Sequence, residues 1–220
     1  MSKPADPKSL NPAKDPQDYV TPPFLVAAVG ASAGGLEAFS TLLRDIPGDA
    51  PLAIVLVQHL SRTHDSQLPE ILATRTPLQV LGACDGMRVE SGHVYVISPD
   101  THMTVIDGHL RVRPRPKGHF SVQIDALFES LAKFYGSKSV GVVLSGALYD
   151  GAEGFRAIRA AGGVTFAQLP EEAQTESMPR AAIATGDVDM ILPAKQIAEQ
   201  LLRLAALPRF KDDHPTKPGA

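Results

Sequence analysis

Cysteine is almost absent from this 220-residue chain, and tryptophan is absent altogether. The single cysteine, Cys84, excludes an intramolecular disulfide framework and fits a reducing compartment. No apolar run approaches the roughly 20 residues that cross a bilayer. Where a secretory signal needs an apolar run, the N-terminus carries charge and proline instead. Charge of one sign is lacking too. With 21 Lys and Arg against 24 Asp and Glu, the net charge of -3 gives no whole-chain pull toward nucleic acid or anionic membranes. There are seven histidines but no H-x-x-x-H spacing and no Cys/His cluster, so no metal site is expected. What remains is a soluble, cytoplasmic domain, and 44% hydrophobic residues are enough for one sizeable core.

Proline is not scarce, and its distribution marks the domain. Residues 1–23 hold six prolines, several charges and little apolar material, the composition of a disordered leader. Residues 208–220 repeat that style, which leaves 24–207 as the folded unit. Within it, buried apolar strands alternate with helical patterns. Leu25–Val29, Pro51–Val57, Ser139–Leu144, Val164–Ala167 and Val188–Leu192 read as strands. Leu36–Leu43, Ser66–Thr74 (with Asp65 as cap), Val122–Tyr135, Ala152–Ala161, a short stretch from Met178-Pro179, and Ala194–Leu204 read as helices. Between them, Leu78–Ala83 and His93–Ile97 read as short strands. Asp85-Gly86, Ser91-Gly92 and Asp107-Gly108 are turn dipeptides, the last joining Met103–Ile106 and His109–Arg113 as a hairpin. The expected fold is α/β: a doubly wound, mostly parallel, Rossmann-like sheet with a small antiparallel hairpin insertion.

The densest signal is Val29-Gly30-Ala31-Ser32-Ala33-Gly34-Gly35, a glycine turn between the first strand and the first helix. Gly30-x-Ser32-x-Gly34 matches the G-x-S-x-G nucleophile elbow, whose glycines allow a sharp turn that exposes a serine hydroxyl. Amides at the helix start can then stabilise an oxyanion. In a doubly wound sheet, ligands bind beyond the carboxyl ends of the strands. Ser32 follows the first strand, His59 the second, and Asp150 the Val140–Leu144 strand. Together they supply a nucleophile, a base that takes and returns its proton, and an acid that fixes the base's tautomer. Each residue also has a plainer reading: a turn that only packs a helix or holds a phosphate, a strand-end histidine, and an aspartate capping the helix from Gly151. The chain order Ser, His, Asp is not the Ser, Asp, His of α/β-hydrolases.

These residues, taken with three further motifs, resemble the CheB-type protein-glutamate methylesterases of bacterial chemotaxis, without a receiver domain. The further motifs are Val94-Tyr95-Val96-Ile97-Ser98-Pro99 followed by His102-Met103, Leu144-Ser145-Gly146 with Asp150-Gly151-Ala152-Glu153-Gly154, and Ser177-Met178-Pro179-Arg180-Ala181-Ala182. The resemblance spans nearly all of 24–207, the catalytic domain of that family. It implies hydrolysis of glutamate γ-methyl esters on methyl-accepting chemotaxis receptors, with methanol released, and deamidation of receptor glutamines in some members. It implies no metal and no organic cofactor. Carried over, Ser32 is the nucleophile, His59 the base and Asp150 the orienting acid, with backbone amides of Ala147 and Ala33 as the oxyanion hole. The family's Thr-Gly-Met-Gly-x-Asp is here Ser145-Gly146-Ala147-Leu148-Tyr149-Asp150, with leucine where glycine is common. That altered loop motivates the alternative, a catalytically weak binding module of the same fold docking on receptors or signalling proteins. The basic strip Arg111, Arg113, Arg115 and Lys117, together with Arg62 and Arg180, could draw acidic receptor helices toward the cleft. Neither nucleic acid nor membrane insertion is expected, and the oligomeric state is open.

Overall fold

The computed structural model describes residues 23–59, 67–115 and 122–208. Residues 1–22 of the expected leader, 209–220 of the expected tail, Arg62, Asp65 and Lys117 lie outside the described residues. The strands are β1 (Leu25–Ala31), β2 (Leu52–Gln58), β3 (Gln79–Gly82), β4 (His93–Val96), β5 (Thr101–Ile106), β6 (His109–Pro114), β7 (Ser139–Val143), β8 (Val164–Gln168) and β9 (Met190–Leu192). The helices are α1 (Gly35–Leu43), α2 (Leu68–Ala73), α3 (Gln123–Tyr135), α4 (Gly154–Ala160), α5 (Ser177–Ala184) and α6 (Ala194–Ala205). Seven strands form one sheet in the order β3-β4-β2-β1-β7-β8-β9. All its pairings are parallel. β5 and β6 form a separate antiparallel pair, so the α/β reading with a hairpin insertion holds.

The topology places the site. From β1 the chain steps to β2 on one side, and it later resumes at β7 on the other. Strand order thus reverses about β1, and its carboxyl end is where a doubly wound sheet opens a crevice. Helices cover both faces, so the central strands are apolar at every position rather than alternating. All seven residues of β1 are buried. Leu25, Ala27, Val29 and Ala31 join the core beneath α1, α2 and α6. Val26 and Ala28 join the core beneath α3, α4 and α5.

Two expectations need correction. Gly30 is not a turn residue; it lies inside β1, and an added Cβ would stand 2.5 Å from Ile124 Cγ2 of α3. Its glycine is required because α3 lies directly on the strand. The second helix starts at Leu68 with Gln67 as its cap residue, later than the expected Ser66. Pro69, which fits only the first turn of a helix, limits how far upstream it can extend.

Candidate functional site

Three strand ends converge, and the backbone ladder runs one residue past β1 and β2 and two past β7. His59 N–H donates to the Ala31 carbonyl at 3.2 Å, and Ser32 N–H to the Ser145 carbonyl at 3.0 Å. Ser32 is therefore held between the extensions of β2 and β7. Ala31 is the register partner of Gln58. Ser32 and His59 are thus the next pair across neighbouring strands, whose spacing is about 4.8 Å. Alternation along a strand then sorts the side chains. Val57 faces the α3 core, so His59 continues that face, as Ser32 does after Gly30. Gln58 points the other way, where its carboxamide comes within 3.2 Å of a Cβ built on Gly35.

The left-handed step of the turn falls on Gly34, at φ 80, and not on Ser32. Gly34 is the N-cap residue of α1, without a side-chain cap. The Ser32 carbonyl accepts the Gly35 N–H at 2.9 Å and Gln58 Nε2 at 3.4 Å. Ser145 ties this turn to the loop after β7, its hydroxyl donating to the Ala33 carbonyl at 2.8 Å. Among the described residues, Gln58 Oε1 is buried without a partner.

His59 Nε2 lies 2.8 Å from Asp150 Oδ2. The imidazole is 14% exposed and the carboxylate fully buried, so one is reachable and the other is not. The same Oδ2 accepts the Ile124 N–H at 3.0 Å, and Oδ1 accepts the Asp125 N–H at 3.1 Å. Asp150 therefore caps α3, not the helix that follows it in sequence. The unpaired amides at a helix start and the positive end of its dipole both favour a carboxylate. Burial opposes ionisation, but the His59 bond and the two amides outweigh it and hold this carboxyl below the usual carboxylate range.

The cap that α4 lacks from Asp150 comes from Asp125, whose Oδ1 accepts the Gly154 N–H at 2.7 Å. Two helices, α3 and α4, are thus cross-capped by two buried aspartates. Asp125 is pushed up to about 6, chiefly by burial and then by the neighbouring Asp150 charge, against the Gly154 bond. Sequence reading missed Asp125 and Gln58. An acidic residue in a first helical turn is ordinary, and a strand-end glutamine has no signature of its own.

Among the described residues, neither the Ala33 nor the Ala147 amide donates to a protein acceptor. Beside Ala147 stand Leu148 and Tyr149, 57% and 65% exposed. Leu148 has φ 70, a conformation that glycine adopts freely and leucine does not. Two members of the basic strip are engaged on their own domain: Arg113 pairs with Asp85 and Arg115 with Asp100. Arg180 pairs with Glu176 and Glu171.

Similar proteins share both sequence and fold. The family model described as CheB methylesterase matches residues 27–201. A Rhizobium meliloti protein named protein-glutamate methylesterase/protein-glutamine glutaminase of group 3 operon is 35% identical over 196 residues, 88% of this chain and 55% of that protein. The chain spans about half that relative's length. A Leptospira interrogans relative is 35% identical over 178 residues, 80% of this chain and 92% of its own length. The crystal structure of the Thermotoga maritima CheB methylesterase catalytic domain superposes with a TM-score of 0.76 at 28% identity, covering 82% of this chain and 98% of that one.

Proposed function

The chain belongs to the CheB methylesterase family, and from that membership we propose that it is a serine hydrolase acting on chemoreceptor glutamates. It removes their γ-methyl esters, releasing methanol, and it deamidates receptor glutamines by the same route. Residues 24–207 are the catalytic domain, and the reaction takes place in the cytoplasm, where such receptors expose their methylated helices. None of the described helices is long and apolar enough to cross a membrane.

The observation that carries this reading is the His59–Asp150 bond at 2.8 Å, one strand away from Ser32. Asp150 accepts a proton-bearing Nε2 and so leaves the lone pair on Nδ1 as the basic nitrogen of His59. Nδ1 takes the Ser32 hydroxyl proton as Oγ attacks the ester carbonyl. The tetrahedral oxyanion is met by the Ala33 and Ala147 amides. Collapse breaks the C–O bond of the ester, or the C–N bond of a glutamine carboxamide, and His59 returns the proton to the leaving group, which departs as methanol or as ammonia. Water, deprotonated by His59, then attacks the acyl-enzyme and frees glutamate and Ser32.

The test is methanol release from a methylated receptor fragment by the wild-type chain and by Ser32→Ala. Release by the first and loss by at least about 10³-fold in the folded variant is the expected result. A folded wild-type chain that releases none from several receptors rules out this substrate class. A fluorophosphonate probe then separates the remaining readings: labelled Ser32 means a hydrolase of another ester, and unlabelled Ser32 means a binding module.

A further inference from the structure

We propose that Asp125 is a positioning residue of the site, holding the loop that carries Asp150 and placing a second carboxyl charge beside the His59–Asp150 pair. The proposal rests on the roles given above to His59 and Asp150. Its first support is reciprocal geometry. The Asp125 amide donates to Asp150 at 3.1 Å, while the Asp125 carboxylate accepts the Gly154 amide at 2.7 Å. One turn of α3 thus grips the loop on both sides of Gly151–Glu153. The second support is close approach. A Cβ on Gly154 would stand 3.0 Å from Asp125 Cα and 2.8 Å from Phe128 Cβ, so the two helix starts meet with no room for a longer cap.

The third support is the choice of residue. A buried cap needs only an acceptor, which serine or asparagine supplies without charge. Asp125 is 7% exposed, and among the described residues no Lys or Arg pairs with it or with Asp150. The charged group that acts on it is Asp150, with His59 behind it. β1 and β7 carry no titratable side chain, and β5 carries only His102. On α4, Arg156 and Arg159 turn to Asp187 and Asp189, and the neighbouring Glu153 is exposed. Glu129 and Lys133 of α3 are exposed as well. Above about pH 6, where Asp125 gives up its proton, its carboxylate adds a second negative charge beside the His59–Asp150 pair.

The experiment follows the rate of Ser32 labelling by a fluorophosphonate between about pH 5 and 9, which needs no receptor substrate. Asp125→Asn keeps the acceptor for Gly154 and removes the charge. Its acid limb is expected to move to lower pH by about half a unit or more, with normal labelling above it. Asp125→Ala removes the acceptor, and labelling is expected to fall at least tenfold at every pH. A melting series gives an independent reading. In the fold Asp125 keeps its proton to about pH 6, whereas an unfolded aspartate loses it near pH 4. Its contribution to stability is therefore present below about pH 4 and lost as pH rises to about 6, a slope Asp125→Asn lacks.

Superimposable acid limbs for wild type and Asp125→Asn overturn the charge role. Labelling by folded Asp125→Ala within twofold of wild type overturns the positioning role. If that variant does not fold, the asparagine limb decides alone. A labelled wild type that releases no methanol refutes the proposed substrate and leaves Asp125 standing. An unlabelled wild type removes both.

Discussion

At the carboxyl edge of the sheet, the turn after β1 puts its left-handed residue on a glycine, Gly34 at φ 80. The loop after β7 puts one on a leucine, Leu148 at φ 70. The first turn closes locally and is also tied outward, by Gln58 to the Ser32 carbonyl and by Ser145 to the Ala33 carbonyl. A buried strand runs into a glycine and an amphipathic helix, and the Gly35 amide closes back on Ser32. The second is built from a distance. Asp150 is held by α3 and by His59, and the Ser145 amide by Gln168 of β8. Long-range bonds can hold a backbone conformation that the local residue disfavours. The first turn needs its glycine for a further reason, since a Cβ on Gly34 would meet Ser145 Oγ and Gln174 Cβ, whereas Leu148 is exposed.

The largest expected effect comes from breaking the distant support. Asp150→Ala removes the acceptor for His59 and leaves the Ile124 and Asp125 amides buried and unpaired. We expect esterase activity to fall by about 10³–10⁴-fold, since the imidazole loses its fixed tautomer. Stability should fall by about 3 kcal/mol from the lost acceptors. Methanol release and denaturant melts measure the two. Full activity in Asp150→Ala would remove the proposed role of this carboxylate.

Next in size is the local turn. In Gly34→Ala the new Cβ meets Ser145 Oγ at 2.6 Å and Gln174 Cβ at 2.7 Å, at a positive φ. The left-handed conformation alone costs about 1–2 kcal/mol, and the contacts bring the total to about 2–4 kcal/mol. Gly30→Ala separates turn from packing. Its φ is not positive, so its cost of about 1–3 kcal/mol is overpacking against Ile124. Ile124→Ala in the same chain should recover part of the Gly30→Ala loss and none of the Gly34→Ala loss. Equal recovery at both positions would return Gly30 to the turn.

Legibility in the sequence follows the same division. β1, β2 and β7 were readable because a strand buried on both faces is a continuous apolar run. The hairpin was readable because Asp107-Gly108 is a turn pair, and both residues have positive φ, 52 and 73. Ser32, His59 and Asp150 were readable as strand-end residues, since the α/β pattern alone sends strand ends to one edge. Which helix Asp150 caps was not readable. Nothing in local spacing says that it caps α3, 25 residues upstream, while Asp125 caps α4. Gly30 was misread because a glycine for packing and a glycine for turning look alike in sequence. Only the neighbouring helix distinguishes them.

The smallest expected effect sharpens the contrast most. Leu148 is 57% exposed, so Leu148→Gly gives up little packing. At φ 70 glycine relieves about 1–2 kcal/mol of conformational cost, offset in part by about 0.5–1 kcal/mol of added freedom in the unfolded chain. The net expectation is stabilisation by about 0.5–1 kcal/mol, read as a higher denaturation midpoint at unchanged slope. The reciprocal substitution at Gly34 goes the other way, because there a side chain would meet Ser145 Oγ and Gln174 Cβ. If Leu148→Gly instead destabilises the chain, the leucine side chain makes contacts that outweigh its strain, and the loop after β7 is held by that side chain and not by Asp150 alone.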